Sequence, residues 1–376
     1  MIVNRTFKYR LYPTKAQAAF LDNQLREACD LYNCALQERI GAWKTCRKSI
    51  SFYDQDKQLK PMRAEGLVCI PDFTCARDVL RRVDRAFQGF FARCKRGDKP
   101  GFPRYRSVRR YDSITFPEPD RGWKVMPSGK LRIRGAGHIK VKFHRPIEGL
   151  VKTVTIKREA CRWFVCFSVE CEVRLLPPSS EAVGIDVGLT TFAVLSDGTE
   201  IQNPRHYWNA QARLRRYQRK VMRRKKGSKR RGKAVLQLQR AHAHIANQRA
   251  DFAHKESRKI VNRFGLIVGE DLNLKGLAGG MQAKSVHDAA WGLFFFDLTY
   301  KAEDAGREFV RINPNGTSQE CICGASVPKT LSDRWHSCQK CGREGPRDLI
   351  SSQVILQRAG NRPSGANVEE RISCVV

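Results

Sequence analysis

Apolar and polar positions change rhythm several times along the chain. In the first dozen residues they alternate around Phe7, Tyr9 and Leu11 and stop at Pro13, a period of two that predicts a strand. Phe20, Leu21, Leu25, Ala28, Leu31, Tyr32 and Leu36 then recur at helical spacing. Thr14 stands in the N-cap position, so a helix is expected over 15–43. The stretch to Pro71 is irregular. A second helix is expected over 73–95, with Leu80, Val83, Phe87 and Phe90 on one face, and KRGDKPGFPRYRSVRR reads as a loop. From 113 to 175 come short strands separated by turn residues (SITFP, KLRIRG, HIKVKF, LVKTVTIKR, WFVCFSVECEV), the pattern of a small β-barrel or sheet.

After the linker LLPPSSEA the order changes. A strand carries Asp186, an antiparallel partner follows over 192–195, and a DG turn leads to a short third strand. A long basic helical stretch over 208–262 is expected to break near Gly227 and Gly232. Then come the apolar strand in GLIVGED, a helix spanning AAWGLFFFDLTYKAEDAG, the strand REFVRIN, a cysteine-bearing insert, and a helix over 348–358. Strands first and helices interleaved later predict an α/β unit with a mixed sheet. From 359 the apolar period is lost, and 359–376 is expected to be a disordered tail.

Charge sharpens this picture. Lys and Arg number 70 against 37 Asp and Glu, a net charge of +33. Self-repulsion on that scale points to a polyanionic partner, nucleic acid first and an anionic membrane surface second. No apolar run reaches the ~18 residues of a membrane helix. The N-terminus lacks a signal-peptide core, which predicts a soluble, cytoplasmic protein with no membrane partner. With 41% hydrophobic residues, the 376-residue length suits two or three domains. Of 14 cysteines, Cys29, Cys34, Cys46, Cys69, Cys75, Cys94, Cys161, Cys166, Cys171 and Cys374 show no ligand spacing and are expected to be inert thiols in a reducing compartment.

Three acids stand out in this basic chain: Asp186 in VGIDVGLTTFAVLSDG, Glu270 in LIVGEDLNLKGLA and Asp348 in CGREGPRDLI. Each ends an apolar run or opens a helical one. Two-metal phosphodiester hydrolysis needs carboxylates from different elements to hold Mg²⁺ or Mn²⁺ ions about 3.5–4 Å apart. Asp271 is the local rival of Glu270, and Asp197 reads as a turn residue. Cys321, Cys323, Cys338 and Cys341 form two pairs of the zinc-ribbon kind, a structural site for Zn²⁺. The first pair is CxC, one residue short of the usual knuckle, and His336 offers a substitute ligand. The run QARLRRYQRKVMRRKKGSKRRGK, with Arg223, Arg224, Lys225 and Lys226, would contact phosphates; Tyr207, Trp208 and Tyr217 would stack on bases or pack.

These residues lie in an ordered set: RLYPT, GFPRYR, GIDVGLTTFAVLSDG, VGEDLNLKGLA, KSVHDAAWGLF, TSQEC and a final RD after a two-knuckle ribbon. In that order they resemble the TnpB family, OrfB-type transposon-encoded RNA-guided DNA endonucleases related to type V CRISPR effectors. The resemblance extends to about Leu356. It implies a multidomain α+β protein: a β-barrel wedge domain at 1–14 and 100–176, with a helical recognition domain inserted at 15–99. A RuvC-like, RNase-H-type nuclease domain follows at 181–316 and 344–358, with a zinc ribbon inserted at 317–343. It also implies catalytic and Mg²⁺-binding roles for Asp186, Glu270 and Asp348, and Zn²⁺ on the four cysteines. The implied partners are a guide RNA from the transposon end and double-stranded target DNA beside a short flanking motif, contacted near Tyr53, Phe73 and Arg77. The family's DRDxNAA is here PRDLISS, with Ile350 in place of the Asn, a change expected to weaken support of the metal ligand. Two rivals follow: an RNA-guided DNA-binding protein with weak or no cleavage, repressor-like, and a relaxase-type transposase using the HAH of His242 and His244.

Overall fold

The structure is a computed structural model and describes residues 2–173, 175–330 and 332–360. The tail expected to be disordered lies, from 361 onward, outside the described residues. Packing divides the chain into two units at Glu172 and Val173.

In the first unit the alternation at the start becomes β1 (Ile2–Tyr12), which buries Tyr9 and Leu11. Thr14 then opens α1 (Lys15–Cys46) with a capping box: its hydroxyl accepts from Gln17 N–H at 3.3 Å, and Gln17 Oε1 accepts from Thr14 N–H at 3.0 Å. The stretch that looked irregular contains α2 (Phe52–Ala64), started by a reciprocal Ser51–Asp54 cap. Its sparse apolar residues and the internal Pro61, which removes a helical donor, hide it from periodicity. After α3 (Phe73–Lys95) come β2 (Ser113–Phe116), β3 (Trp123–Val125), β4 (Lys130–Ile133), β5 (Gly137–Lys142), β6 (Leu150–Glu159) and β7 (Arg162–Glu172). With β1 they form one seven-stranded sheet in the order β2-β6-β7-β1-β5-β4-β3, each neighbouring pair antiparallel. Leu21 and Leu25 of α1, Val79 and Val83 of α3, and Val165 and Phe167 of β7 share its core.

The second unit begins with β8 (Ala182–Val187), β9 (Thr191–Leu195) and β10 (Glu200–Gln202). Two helices follow, α4 (His206–Met222) and α5 (Lys229–Arg263), so the basic stretch breaks once, at the turn holding Gly227 (φ 83°). Gly232 lies inside α5 instead of interrupting it. Next are β11 (Leu266–Glu270), α6 (Leu274–Leu277), α7 (Ala283–Ala289), α8 (Trp291–Ala305) and β12 (Glu308–Ile312). The single helix expected over AAWGLFFFDLTYKAEDAG is two, broken at Ala290 with φ 56°. The insert holds a 3₁₀ turn (Thr317–Gln319) and the hairpin β13 (Trp335–Ser337) and β14 (Glu344–Pro346), and α9 (Arg347–Gly360) closes the unit.

The mixed sheet runs β10-β9-β8-β11-β12, with β8, β11 and β12 parallel. Alternation along the central strands gives it two buried faces. Val183, Ile185 and Ile267 pack with Ile260 of α5 and with Phe294, Phe295 and Leu298 of α8. Val268 and Ile312 pack with Ile355 of α9. Gly184 is on the α9 face, where the helix approaches so closely that a side chain would not fit.

Candidate metal centres and nucleic-acid interface

The register of the two central parallel strands places two of the three acids. Gly184 pairs with Val268. Asp186 and Glu270 each lie two residues further on, so both point to the α9 face at the C-terminal ends of adjacent strands, which are about 4.8 Å apart. Asp348 occupies the first turn of α9, the helix covering that face. All three line one cavity of about 1020 Å³, with Thr317, Arg347, Trp208 and Arg205 among its other walls. Glu270 is buried; Asp186 and Asp348 are partly so.

Electrostatics record the proximity. Burial pushes the Asp186 carboxyl well above the usual carboxylate range, and the charges of Glu270 and Asp348 push it further, against the pull of Arg347. Burial also raises Glu270, opposed by a hydrogen bond from Thr317 Oγ1 at 2.6 Å and by the charge of Arg358. Asp348 Oδ1 accepts from Arg347 Nε at 3.2 Å. Three buried or half-buried carboxylates, two of which raise the third by repulsion, favour a hard divalent ion, and an all-oxygen donor set suits Mg²⁺ or Mn²⁺. The three carboxylates are spaced more widely than the thiols of the insert: among the described residues, the four cysteines alone form a group of His, Cys, Asp or Glu ligand atoms all within 4.8 Å. Asp271 is not part of the cavity; it lies 3.7 Å from Arg311 and is largely exposed. Asp197 is the turn residue it was expected to be, accepting from Thr199 N–H at 2.9 Å.

The cysteine cluster closes despite its shortened first knuckle. Cys321 Sγ is 3.6 Å from Cys341 Sγ, and Cys323 Sγ is 3.6 Å from Cys338 Sγ. Four sulfurs about 2.3 Å from a tetrahedral Zn²⁺ would be about 3.8 Å apart, so the set fits the ion. Each knuckle folds back on its first cysteine: Gly324 N–H donates to Cys321 O at 2.8 Å and Gly342 N–H to Cys338 O at 2.9 Å. Both glycines have positive φ, 78° and 70°, which a side chain rarely adopts. The Cys338 thiol is held down to about 6 by the backbone N–H groups of Cys341 and Lys340, whereas burial pushes Cys321 up to about 12. His336 does not stand in as a ligand. Its Nδ1 faces Lys329 Nζ at 2.5 Å, and burial with the charges of Lys329 and Arg343 lowers its pKa.

The other nine cysteines in the described residues are unpaired as expected; Cys29, Cys75 and Cys171 are buried. Cys374 lies outside the described residues. No helix among the described residues is long and apolar enough to cross a membrane.

The basic helices pack as a hairpin over Ala210, Leu214, Ala241 and Ile245, with Tyr207 and Tyr217 against them. Trp208 instead reaches the acidic cavity and is 41% exposed. Arg216, Arg219, Lys220, Arg223 and Arg224 line a second, cationic groove of about 1220 Å³, and Lys225 and Lys226 are exposed in the turn beyond it. The hairpin is fixed to the cavity by Asp288, a buried residue that sequence reasoning missed although KSVHDAAWGLF contains it. Its carboxylate accepts from Tyr207 N–H at 2.8 Å and from Arg249 at 2.9 and 3.0 Å. His242 and His244 are exposed on α5, two residues apart and so about 200° apart around the helix, too divergent to share a metal. In the first unit Arg77 binds Asp56 at 2.7 and 2.9 Å, the Arg63 guanidinium stacks over Phe73, and Tyr53 is 72% exposed.

A two-unit α/β protein with a cavity lined by three carboxylates and a four-cysteine insert is the class that fold and site define. Comparison with known proteins narrows it. Residues 165–280 match the family model described as "Probable transposase" (OrfB_IS605), 291–355 match the Cas12f1-like TNB domain, and 1–48 match a helix-turn-helix domain, although here that segment is β1 and α1. The chain is 35% identical over 365 residues to a Streptomyces pristinaespiralis protein named "Putative RNA-guided DNA endonuclease", spanning 94% of this chain and 89% of that one. It is 29% identical over 297 residues to the Escherichia coli K12 "Putative RNA-guided DNA endonuclease InsQ", spanning 74% and 72%. Among solved structures, the mini-RNA-guided endonuclease CRISPR-Cas_phi3 aligns with a TM-score of 0.52 at 9% identity, over 97% of this chain and 94% of that one, a likeness of fold. The chain belongs to the TnpB (OrfB-type) family, related to the type V effectors.

Proposed function

We propose that this chain is a transposon-associated, RNA-guided DNA endonuclease that hydrolyses phosphodiester bonds with two Mg²⁺ or Mn²⁺ ions at a single RuvC-like site. The observation that carries the reading is the convergence of Asp186, Glu270 and Asp348, from two strands and a helix, on one cavity. Such ions, when bound, activate water and stabilise the leaving 3′ oxygen. Asp186 and Glu270 hold their oxygens at the ends of a rigid parallel pair, and Asp348 closes the site from α9. The cationic groove draws in phosphate backbone without reading sequence. Base pairing with a guide RNA from the transposon end would read the target strand, and the protein would read a short flanking motif. The first unit supplies the wedge and recognition domains of the family, with Tyr53 and Phe73 near that motif. Arg77, held to Asp56 through Nε and Nη2, would join them through its other N–H donors. Zn²⁺ on Cys321, Cys323, Cys338 and Cys341 would fold an insert too small for its own core.

The experiment is cleavage of matched DNA by the purified protein–RNA complex with Mg²⁺. Cutting that depends on the guide sequence and on divalent metal is expected; metal-independent cutting would refute the mechanism.

One observation favours a second reading, RNA-guided binding with weak or no cleavage. Ile350 is 4% exposed, and nothing in its apolar side chain can hydrogen-bond a metal ligand as an Asn there would. Tight target binding with no cuts across Mg²⁺ and Mn²⁺ titrations would establish that reading over the first.

A further inference from the structure

The TSQEC segment brings more than a cysteine to the second unit. Its Thr317 is 4% exposed and lines the acidic cavity. The hydroxyl has one proton and two acceptors within reach, Glu270 Oε1 at 2.6 Å and Pro314 O at 3.1 Å. Glu270 Oε1 is the closer acceptor by 0.5 Å, so the proton goes to Glu270. A single short bond from a buried, β-branched side chain, itself restricted at χ1, fixes the rotation of that carboxyl group.

Thr317 is also where the cysteine insert begins. Gly316, at φ 76°, turns the chain into it, and the 3₁₀ turn that follows is stitched to the first knuckle by Val327 N–H donating to Gln319 O at 2.8 Å. Beyond the insert Arg347, the first residue of α9, makes the matching connection. Its Nη1 donates to Asp333 O at 3.0 Å, and its Nε donates to Asp348 Oδ1 at 3.2 Å. The insert thus holds one carboxylate of the cavity through Thr317, and at Asp333 O it anchors the arginine that pairs with another.

We propose that the cysteine insert is a positioning element for the divalent-metal site, with Thr317 orienting Glu270 and Arg347 restraining Asp348. The proposal rests on the assignment of the three carboxylates as metal ligands under Proposed function. Neither Thr317 nor Arg347 is a catalytic residue in this account; both act through the carboxylates they hold.

The test reads metal binding directly. Mn²⁺ affinity is measured by isothermal titration calorimetry on the zinc-loaded full chain without nucleic acid, with zinc content determined in parallel. Thr317→Val, nearly the same shape without the hydroxyl, is expected to weaken Mn²⁺ binding by about tenfold, the lower end of what losing an outer partner of a ligand costs. Thr317→Ser, which keeps the donor, should stay within about twofold of wild type. Thr317→Val binding Mn²⁺ as tightly as wild type, with zinc retained, overturns the proposal. If the valine variant loses zinc or misfolds, Thr317→Ala, which only removes atoms, is held to the same expectation and the same refutation. Asp186→Ala is the control that separates the two layers. Wild type that binds no Mn²⁺, or Asp186→Ala that binds it normally, brings down the metal assignment itself. Equal binding by wild type and the Thr317 variants, with Asp186→Ala inert, brings down the positioning role alone.

Discussion

Gly184 of β8 and Ser352 of α9 are in backbone contact: a Cβ on the glycine would lie 2.0 Å from the serine carbonyl oxygen and 2.8 Å from the backbone nitrogen of Leu356. This close approach sets the distance between the strand bearing Asp186 and the helix bearing Asp348. Small residues on the helix allow it, since Ser351 and Ser352 are both buried. Gly184→Ala must therefore push α9 away from the sheet. Overpacking of this kind costs about 1–3 kcal/mol, and the rigid backbone atoms on the helix side favour the upper end. A lower denaturation midpoint is expected, together with a loss of cleavage larger than the loss of fold. Wild-type stability in this variant would contradict the packing described.

The metal-free carboxylate cavity should cost the protein stability. Asp186 titrates above its unfolded value, near 3.9, because burial and then the charges of Glu270 and Asp348 oppose ionisation. In the window between the unfolded and folded pKa values the folded chain keeps a proton that the unfolded chain has lost. Stability accordingly falls as pH rises through that window and is flat above it. Asp186→Asn removes the effect, so in chelator at neutral pH its Tm should exceed that of wild type by a few degrees. Adding Mn²⁺ should raise the wild-type Tm and leave the variant's almost unchanged, since only a native-state ligand stabilises by mass action. Thermal unfolding by circular dichroism, with and without EDTA, checks both signs.

The shortened knuckle bears on zinc. With all four sulfurs within 4.8 Å, one zinc per chain is expected by atomic absorption. Cys323→Ser, which alters the cysteine that closes the CxC pair, should lose at least half of it. His336→Gln should keep its zinc, because His336 is turned to Lys329. Zinc loss on changing His336 with full retention on changing Cys323 would exchange their roles.

The turn after α4 should contribute to nucleic-acid affinity by neutralising phosphates. Each duplex phosphate so neutralised adds about 0.9 to the slope of log K against log salt. Replacing Arg223, Arg224, Lys225 and Lys226 together by alanine should flatten that slope by about 0.9 for every phosphate released, about equally for matched and unmatched DNA. A change confined to matched DNA would show that these residues recognise something other than backbone charge.

Much of this was legible in the sequence, for identifiable reasons. The strand periods of β1, β6 and β7, and the long apolar face of α1, survive because each element buries one regular side. The acidic trio stood out because, in so basic a chain, Asp186 and Glu270 end apolar strands and Asp348 opens a helix. Two kinds of feature were hidden. Local backbone events such as the αL residue at Ala290, which splits α7 from α8, leave no hydrophobic period behind. Residues that act by holding another, such as Thr317, Asp288 and Arg347, have ordinary identities. Their meaning comes from partners 47, 81 and 14 residues away in the chain (Glu270, Tyr207 and Asp333), which only the fold brings within hydrogen-bond reach.

The most direct test is guide-dependent cleavage by the protein–RNA complex in Mg²⁺, comparing wild type with Asp186→Ala, Glu270→Ala and Asp348→Ala at equal target binding. Cutting by wild type, with each alanine variant binding DNA normally and cutting at least a hundredfold more slowly, on the order of 3 kcal/mol less transition-state stabilisation, is the predicted result. Undiminished cutting by any one of the three would remove that residue from the metal site, and undiminished cutting by all three would place the chemistry elsewhere in the molecule.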